Sequence, residues 1–146
     1  MRHHLILRVV TKFLVGAIIL FALYVQFHGD YSPGGGFQAG VIFAVAFIIY
    51  GIVFSVGQAE QVLPVSVTHR MSGLGVLIYA GTGILNMISG YTFLDYGAFT
   101  PHHPEHGQHW GILAVELGVG VTVAGVMVSI YYAFASRTPV IHDEEW

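Results

Sequence analysis

The sequence has no cysteine and little charge. Of its 146 residues only five are Lys or Arg and eight are Asp or Glu, so 9% of the chain is charged, whereas 55% is hydrophobic. A soluble domain has about 25% charged residues. The lack of cysteine excludes disulfides, thiolate metal ligands and a cysteine nucleophile. The low positive charge argues against nucleic acid and against an anionic lipid surface as partners. These absences indicate an integral membrane protein.

Four apolar stretches are long enough to cross a bilayer, for which a helix needs about 20 residues. They predict an all-α integral membrane protein with four transmembrane helices, at about residues 9–27, 37–56, 71–88 and 110–135. The first stretch is not interpreted as a signal peptide, because residues 26–29 offer no small-residue cleavage site and three more apolar runs follow. Residues 1–146 are therefore predicted to form a single membrane domain.

The positive residues predict the orientation, because Lys and Arg are enriched in cytoplasmic loops. They flank the first span, precede the third and follow the fourth: Arg2, Arg8, Lys12, Arg70 and Arg137. The loops 29–36 and 90–109 contain neither Lys nor Arg. The N- and C-termini and the loop 57–70 are therefore predicted to be cytoplasmic, with the other two loops outside.

One acidic residue interrupts the fourth span. Glu116 is the only charged residue between Trp110 and Arg137, and an acid at membrane depth costs at least ~2.5 kcal/mol on insertion scales. A helix rises ~1.5 Å per residue, which places Glu116 ~9 Å beyond the interfacial Trp110. We interpret Glu116 as an ion-path candidate that exchanges a proton for a cation. The alternative is a packing residue that stays protonated or bonds to a partner.

Small residues recur every four positions in the second and fourth spans. They include Gly36, Gly40 and Ala44 in the second span, and Gly118 and Gly125 in the fourth. Such faces let transmembrane helices approach closely. They serve either packing within this chain or, as we favour, packing against other membrane proteins. In the third span, Asn86 is deep enough to need a hydrogen-bond partner, most simply on another helix.

A glycine-rich loop joins the first two spans. Proline followed by three glycines predicts a tight turn, after which the second helix begins with its first N–H groups free to meet an anion, a carbonyl or a neighbouring helix. A dinucleotide site is excluded because no βαβ unit surrounds these glycines. The loop is either a compact connection or part of an ion path. Its first residues, His28 and Asp30, are candidates for a proton relay or a cation entry point.

This loop resembles the hallmark of the MnhB-type subunits of the multisubunit Na⁺(K⁺)/H⁺ antiporters, the Mrp, Mnh and Pha type. The matching residues are His28, Gly29 and Asp30, followed by Pro33, Gly34, Gly35, Gly36, Phe37, Gln38, Ala39 and Gly40. The segment from Glu116 to Gly125 is similar to the last helix of that family, which has an acid just before Leu-Gly-Val. The number and order of spans fit as well, so the resemblance covers nearly the whole chain.

The resemblance implies a small subunit of a hetero-oligomeric complex in the bacterial or archaeal cell membrane. That complex would exchange Na⁺ or K⁺ for H⁺, with large proton-pathway subunits as separate chains. The resemblance implies a secondary transporter subunit, not an enzyme, and no cofactor. Two alternatives remain, a purely structural scaffold subunit and a subunit of a related membrane-bound hydrogenase-type complex.

The third loop is rich in histidine, and the resemblance assigns it no function. Its candidate ligands are His102, His103, Glu105, His106 and His109. Imidazoles at this density can bind Zn²⁺, Ni²⁺ or Cu²⁺. However, Pro101 and Pro104 argue against a regular helix that would place two of them on one face. We therefore predict a pH-sensitive external loop without a metal, and a metal transporter is the alternative.

Overall fold

The computed structural model describes residues 5–29, 33–99 and 104–137. Within these ranges the chain forms five α-helices: α1 (Leu5–Phe27), α2 (Gly36–Phe54), α3 (Val56–Val62), α4 (Val65–Ile88) and α5 (Pro104–Ala135). A single 3-10 turn, Tyr96–Phe99, lies between α4 and α5. The helices α1, α2, α4 and α5 are long and apolar enough to cross a membrane. The prediction of an all-α protein with four spans is confirmed, while the cytoplasmic placement of the termini stays a prediction.

The third transmembrane helix begins earlier than the hydropathy of the sequence indicates. Pro64 is its N-cap, with an extended backbone conformation, and the helix starts at Val65. Its first turns contain polar residues, including Arg70, whose Nε donates a hydrogen bond to the Ser66 carbonyl at 3.1 Å. The loop predicted at residues 57–70 therefore consists of α3 and the polar first turns of α4.

The fourth transmembrane helix also begins earlier, at Pro104. Proline is accepted at the first helical position because the N–H that it lacks has no partner inside the helix there. The expectation that the two prolines of the histidine-rich loop prevent a regular helix is wrong for Pro104. With 32 residues, α5 is ~48 Å long at 1.5 Å per residue, so its ends project beyond a hydrocarbon core of about 30 Å.

Helix α5 lies at the centre of the fold. It packs extensively against α4 on one side and α2 on another, while α1 packs mainly against α2 and touches α5 at a few positions. Among the described residues, α1 and α4 make little or no direct contact. A groove floored by α5 therefore separates α1 from α4.

Glycines allow α4 and α5 to approach closely. A Cβ atom built on Gly118 would lie 2.8 Å from the Gly75 carbonyl oxygen, and one on Gly125 would lie 2.6 Å from the Thr68 carbonyl oxygen. At the same interface, the Ser129 hydroxyl donates a hydrogen bond to Thr68 Oγ1 at 2.8 Å. The interpretation that these small faces serve other membrane proteins is therefore wrong for α5, because α4 covers them.

The expected partner of Asn86 is absent from the described residues. Its side chain is only 1% exposed, and neither Oδ1 nor Nδ2 has a hydrogen-bond partner among them. Its backbone carbonyl accepts a bond from the Tyr91 N–H at 3.1 Å. Asn86 is therefore buried as predicted, but its amide is not bonded to a neighbouring helix of the described chain.

Candidate ion site at the glycine turn

The chain reverses direction between α1 and α2 through glycines. Gly35 is the N-cap of α2 and has a φ of 151°, a backbone conformation that L side chains rarely adopt, so glycine is needed there. The Gly35 carbonyl accepts the hydrogen bond from the Ala39 N–H at 3.0 Å, which starts α2 directly after the turn. The N-cap residue, a glycine, provides no side-chain cap for this helix end.

The Glu116 side chain packs against this turn. A Cβ atom on Gly29 would lie 2.6 Å from Glu116 Oε2 and 2.7 Å from Oε1, and one on Gly35 would lie 3.2 Å from Oε1. A Cβ atom on Gly36 would overlap the Glu116 carbonyl oxygen and lie 2.9 Å from its Cα. The absence of side chains at Gly29, Gly35 and Gly36 therefore makes room for both the carboxyl group and the backbone of Glu116.

The position of this carboxyl group is electrostatically favourable for an anion. The end of a helix at which the N–H groups are unpaired has a partial positive charge of roughly half an elementary charge. The Glu116 carboxyl lies beside the N-cap of α2, where a capping side chain would otherwise lie. Glu116 is half-buried. The start of α2 can therefore stabilise a negative charge on Glu116.

One other residue of the predicted ion path, His28, lies at the same turn. His28 directly precedes Gly29, its Nδ1 is 3.0 Å from the Tyr24 carbonyl oxygen, and its ring stacks on the Tyr24 ring at 4.0 Å between centroids. The second candidate of this pair, Asp30, lies outside the described residues. The structure thus brings His28 to the end of α1 next to the turn that contacts Glu116.

The residues of the motif loop separate into exposed and packed ones. Pro33, Phe37 and Gln38 are exposed, and Phe37 retains 62% of its accessible surface. Gln38 Oε1 would lie 3.4 Å from a Cβ atom on Gly35. Gly34 is half-buried, and a Cβ atom on Gly40 would lie 2.5 Å from the Gly120 carbonyl oxygen. The glycines of the motif fit α2 onto α5, whereas Phe37 and Pro33 face outward.

Sequence reasoning missed a second polar residue at this contact. Gln26 lies one turn before Gly29 on α1 and is only 8% exposed. Its Oε1 would lie 2.5 Å from a Cβ atom on Gly120, which is one turn after Glu116 on α5. No local sequence pattern signals this burial, because Gly29 lies beyond the end of α1 at Phe27 and the contact depends on how the helices pack. Its place at the end of an apolar run made it resemble an ordinary interfacial residue.

The described part of the histidine-rich segment lies at the start of α5, before Glu116. His106 and His109 are exposed on the first turns of α5. The His109 ring lies edge-on to the Trp110 ring, with 5.9 Å between the ring centroids. His102 and His103, and the side chain of Glu105, lie outside what the structure describes. No group of three metal-ligating side chains occurs in the part of the chain that is described.

Comparisons with known proteins agree on one family. Residues 6–129 match the family model described as a domain related to the MnhB subunit of Na⁺/H⁺ antiporters. The chain is 37% identical over 132 residues to a Staphylococcus haemolyticus (strain JCSC1435) protein named "Putative antiporter subunit mnhB2", covering 89% of this chain and 93% of that protein. A protein of the same name from Staphylococcus aureus (strain Newman) is 37% identical over 127 residues, covering 86% of this chain and 89% of that protein.

These matches confirm the resemblance that the glycine loop and the last helix carry. The four apolar helices make the chain a multi-pass membrane protein, and a subunit of a multisubunit antiporter has the other subunits as its partners. The chain belongs to the family of domains related to the MnhB subunit of Na⁺/H⁺ antiporters.

Proposed function

We propose that this subunit contributes Glu116 to the ion path of a Na⁺/H⁺ antiporter complex. The transported ions are H⁺ and either Na⁺ or K⁺, and the chain works as part of a secondary transporter without a cofactor and not as an enzyme. The observation that carries the proposal is the packing of the Glu116 carboxyl group against Gly29 and Gly35 at the start of α2.

In this proposal, ion exchange depends on one carboxyl group that binds either a proton or a cation. A carboxylate can hold either a proton or a monovalent cation, and the binding of one disfavours the other because each neutralises the same charge. The positive end of α2 stabilises the carboxylate between these two states. Glu116 can therefore exchange its occupant without a lasting uncompensated charge in the membrane.

The glycine turn also supplies access to the carboxyl group. Gly29 and Gly35 present only backbone atoms to Glu116, so neither residue places a side chain between the carboxyl and the connection from α1 to α2. In the proposal, His28 and Asp30 form the mouth of the path. His28 is suited to this role because an imidazole exchanges protons near neutral pH.

The test is a pair of Glu→Gln variants in the complete complex. Glu116→Gln keeps the shape of the side chain and removes its charge, and we expect loss of Na⁺/H⁺ exchange in inverted membrane vesicles while the complex assembles normally. Glu60→Gln is the matched control, because Glu60 is half-buried on α3, away from the glycine turn. Exchange that is unchanged in the assembled Glu116→Gln complex would instead support a purely structural subunit.

A further inference from the structure

We propose that Arg8 and Lys12 bind the phosphate group of one anionic phospholipid, at the membrane boundary where α1 begins and α2 ends. The site lies at the opposite ends of these two helices from the glycine turn and does not involve Glu116. It is a site for a single lipid molecule and is separate from the exchange of ions.

Two cations share the aromatic ring of Phe54. Arg8 Cζ lies 5.0 Å from the centroid of this ring, and Lys12 Nζ lies 5.7 Å from it. The two residues are four positions apart on α1, so their side chains leave the helix from one face. Phe54 is only 8% exposed, and its ring stacks on the Tyr50 ring at 4.6 Å between centroids. A packed aromatic ring therefore holds the two positive groups close together.

The described part of the chain does not neutralise these two charges. Among its residues no carboxylate forms an ion pair with Arg8 or Lys12. Phe54 is the last residue of α2, and the C-terminal end of a helix has a partial negative charge of roughly half an elementary charge, which is about a quarter of the two positive charges. Like charges four positions apart on a helix repel each other. An anion that contacts both side chains would remove this repulsion.

The surroundings of the two cations favour a phospholipid over a free anion. A guanidinium binds a phosphate through two parallel N–H···O bonds, and an ammonium binds it as a point charge. Val9 and Phe13, each next to one of the cations along the chain, are 59% and 82% exposed. These apolar side chains would contact the acyl chains of a lipid, whereas inorganic phosphate has no apolar part to cover them. One lipid needs only these two cations, so the low total positive charge of the chain does not exclude it.

The lipid can be identified by photo-crosslinking in the complete complex, reconstituted into vesicles of equal parts phosphatidylglycerol and phosphatidylcholine. A diazirine amino acid is placed at position 13, beside the cations, and, as the control, at position 20. Leu20 is 70% exposed and lies two turns further along the same face of α1. A basic residue attracts anionic lipid by about 1 kcal/mol, which is about five-fold in affinity. We therefore expect phosphatidylglycerol to be enriched in the adducts at position 13 over those at position 20 by up to about 25-fold. Equal lipid compositions at the two positions, or adducts with another subunit in place of lipid at position 13, would overturn the proposal.

The two cations are tested with the double variant Arg8→Gln and Lys12→Gln, with the probe kept at position 13. We expect the enrichment of phosphatidylglycerol to disappear. The matched control is Arg70→Gln with Arg137→Gln, which removes the same charge from two exposed residues elsewhere and should leave the enrichment intact. Enrichment that persists in the first double variant, or that the control abolishes equally, would contradict the site.

A second variant keeps both charges, because positive residues also direct membrane insertion. Phe54→Leu removes the ring that holds the cations, and a cation–π contact of 0.5–1 kcal/mol corresponds to about two- to five-fold. We expect the enrichment at position 13 to fall by an amount in this range, and an unchanged enrichment would contradict the role of the ring. Inorganic phosphate that abolishes the enrichment in the wild type, where chloride at equal ionic strength does not, would assign the site to a free anion and overturn the lipid.

Discussion

Substitution of Gly36 by alanine tests whether α2 and α5 are as close as the structure places them. A Cβ atom at Gly36 would overlap the Glu116 carbonyl oxygen and lie 2.7 Å from its carbonyl carbon. These are backbone atoms in the middle of a helix, so the clash is relieved only if the two helices separate. Such overpacking costs about 1–3 kcal/mol. We therefore expect Gly36→Ala to reduce the folding equilibrium constant by about 5- to 140-fold, since 1.4 kcal/mol is a factor of ten.

The assay is the thermal unfolding of the purified complex, together with the amount of this subunit that remains in it. Gly73→Ala is the matched control, because Gly73 lies inside α4 with nothing within 4 Å of its Cβ position. Alanine is favoured over glycine inside a helix by roughly 0.5–1 kcal/mol, so the control should be neutral or slightly stabilising. Equal stability of Gly36→Ala and Gly73→Ala would refute the close contact between Gly36 and Glu116.

The remaining predictions concern single contacts. Gly29→Ala places a methyl group 2.6 Å from Glu116 Oε2, where ordinary contact begins at 3.4 Å, so the carboxyl must move by about 0.8 Å. Because a side-chain end can yield, we expect reduced exchange in an assembled complex, and wild-type exchange rates would argue against the site. Tyr132→Phe removes the hydrogen bond of 3.0 Å to the Leu63 carbonyl and should cost about 0.5–1.5 kcal/mol in thermal unfolding; an unchanged midpoint would contradict this bond. The double variant His106→Ala and His109→Ala should leave both Na⁺/H⁺ exchange and Zn²⁺ uptake unchanged, and a loss of Zn²⁺ uptake with normal exchange would support the metal-transporter alternative.

The four spans could be predicted because their signal is local. Each is a run of apolar residues of sufficient length, and hydropathy depends only on neighbours in the sequence. The start of α4 could not be predicted this way, since the residues from Val65 to Arg70, most of them polar, are helical but fall outside the apolar run. The prolines did not indicate the helical start of α5 at Pro104, because proline breaks a helix in its interior but is accepted at its first position.

The residues of the candidate site could be predicted one by one, but the contact between them could not. Glu116 and the glycine loop were each recognisable, as a buried acid and as a tight turn. Their contact depends on how α5 packs against α2, and 80 residues separate Gly36 from Glu116, so no local pattern reports it. The same holds for Gln26, which differs from an interfacial glutamine only through its burial against Gly120.

The direct test of the central claim is a measurement of the Glu116 carboxyl itself. Infrared difference spectra of the purified complex, recorded on addition of Na⁺ at constant pH, report the protonated carboxyl groups that lose their proton. We expect a Na⁺-induced loss of one protonated-carboxyl band in the wild type and in Glu60→Gln, and no such loss in Glu116→Gln. The same band change in Glu116→Gln, or no Na⁺-dependent change in the wild type, would contradict the exchange of a proton for a cation at Glu116.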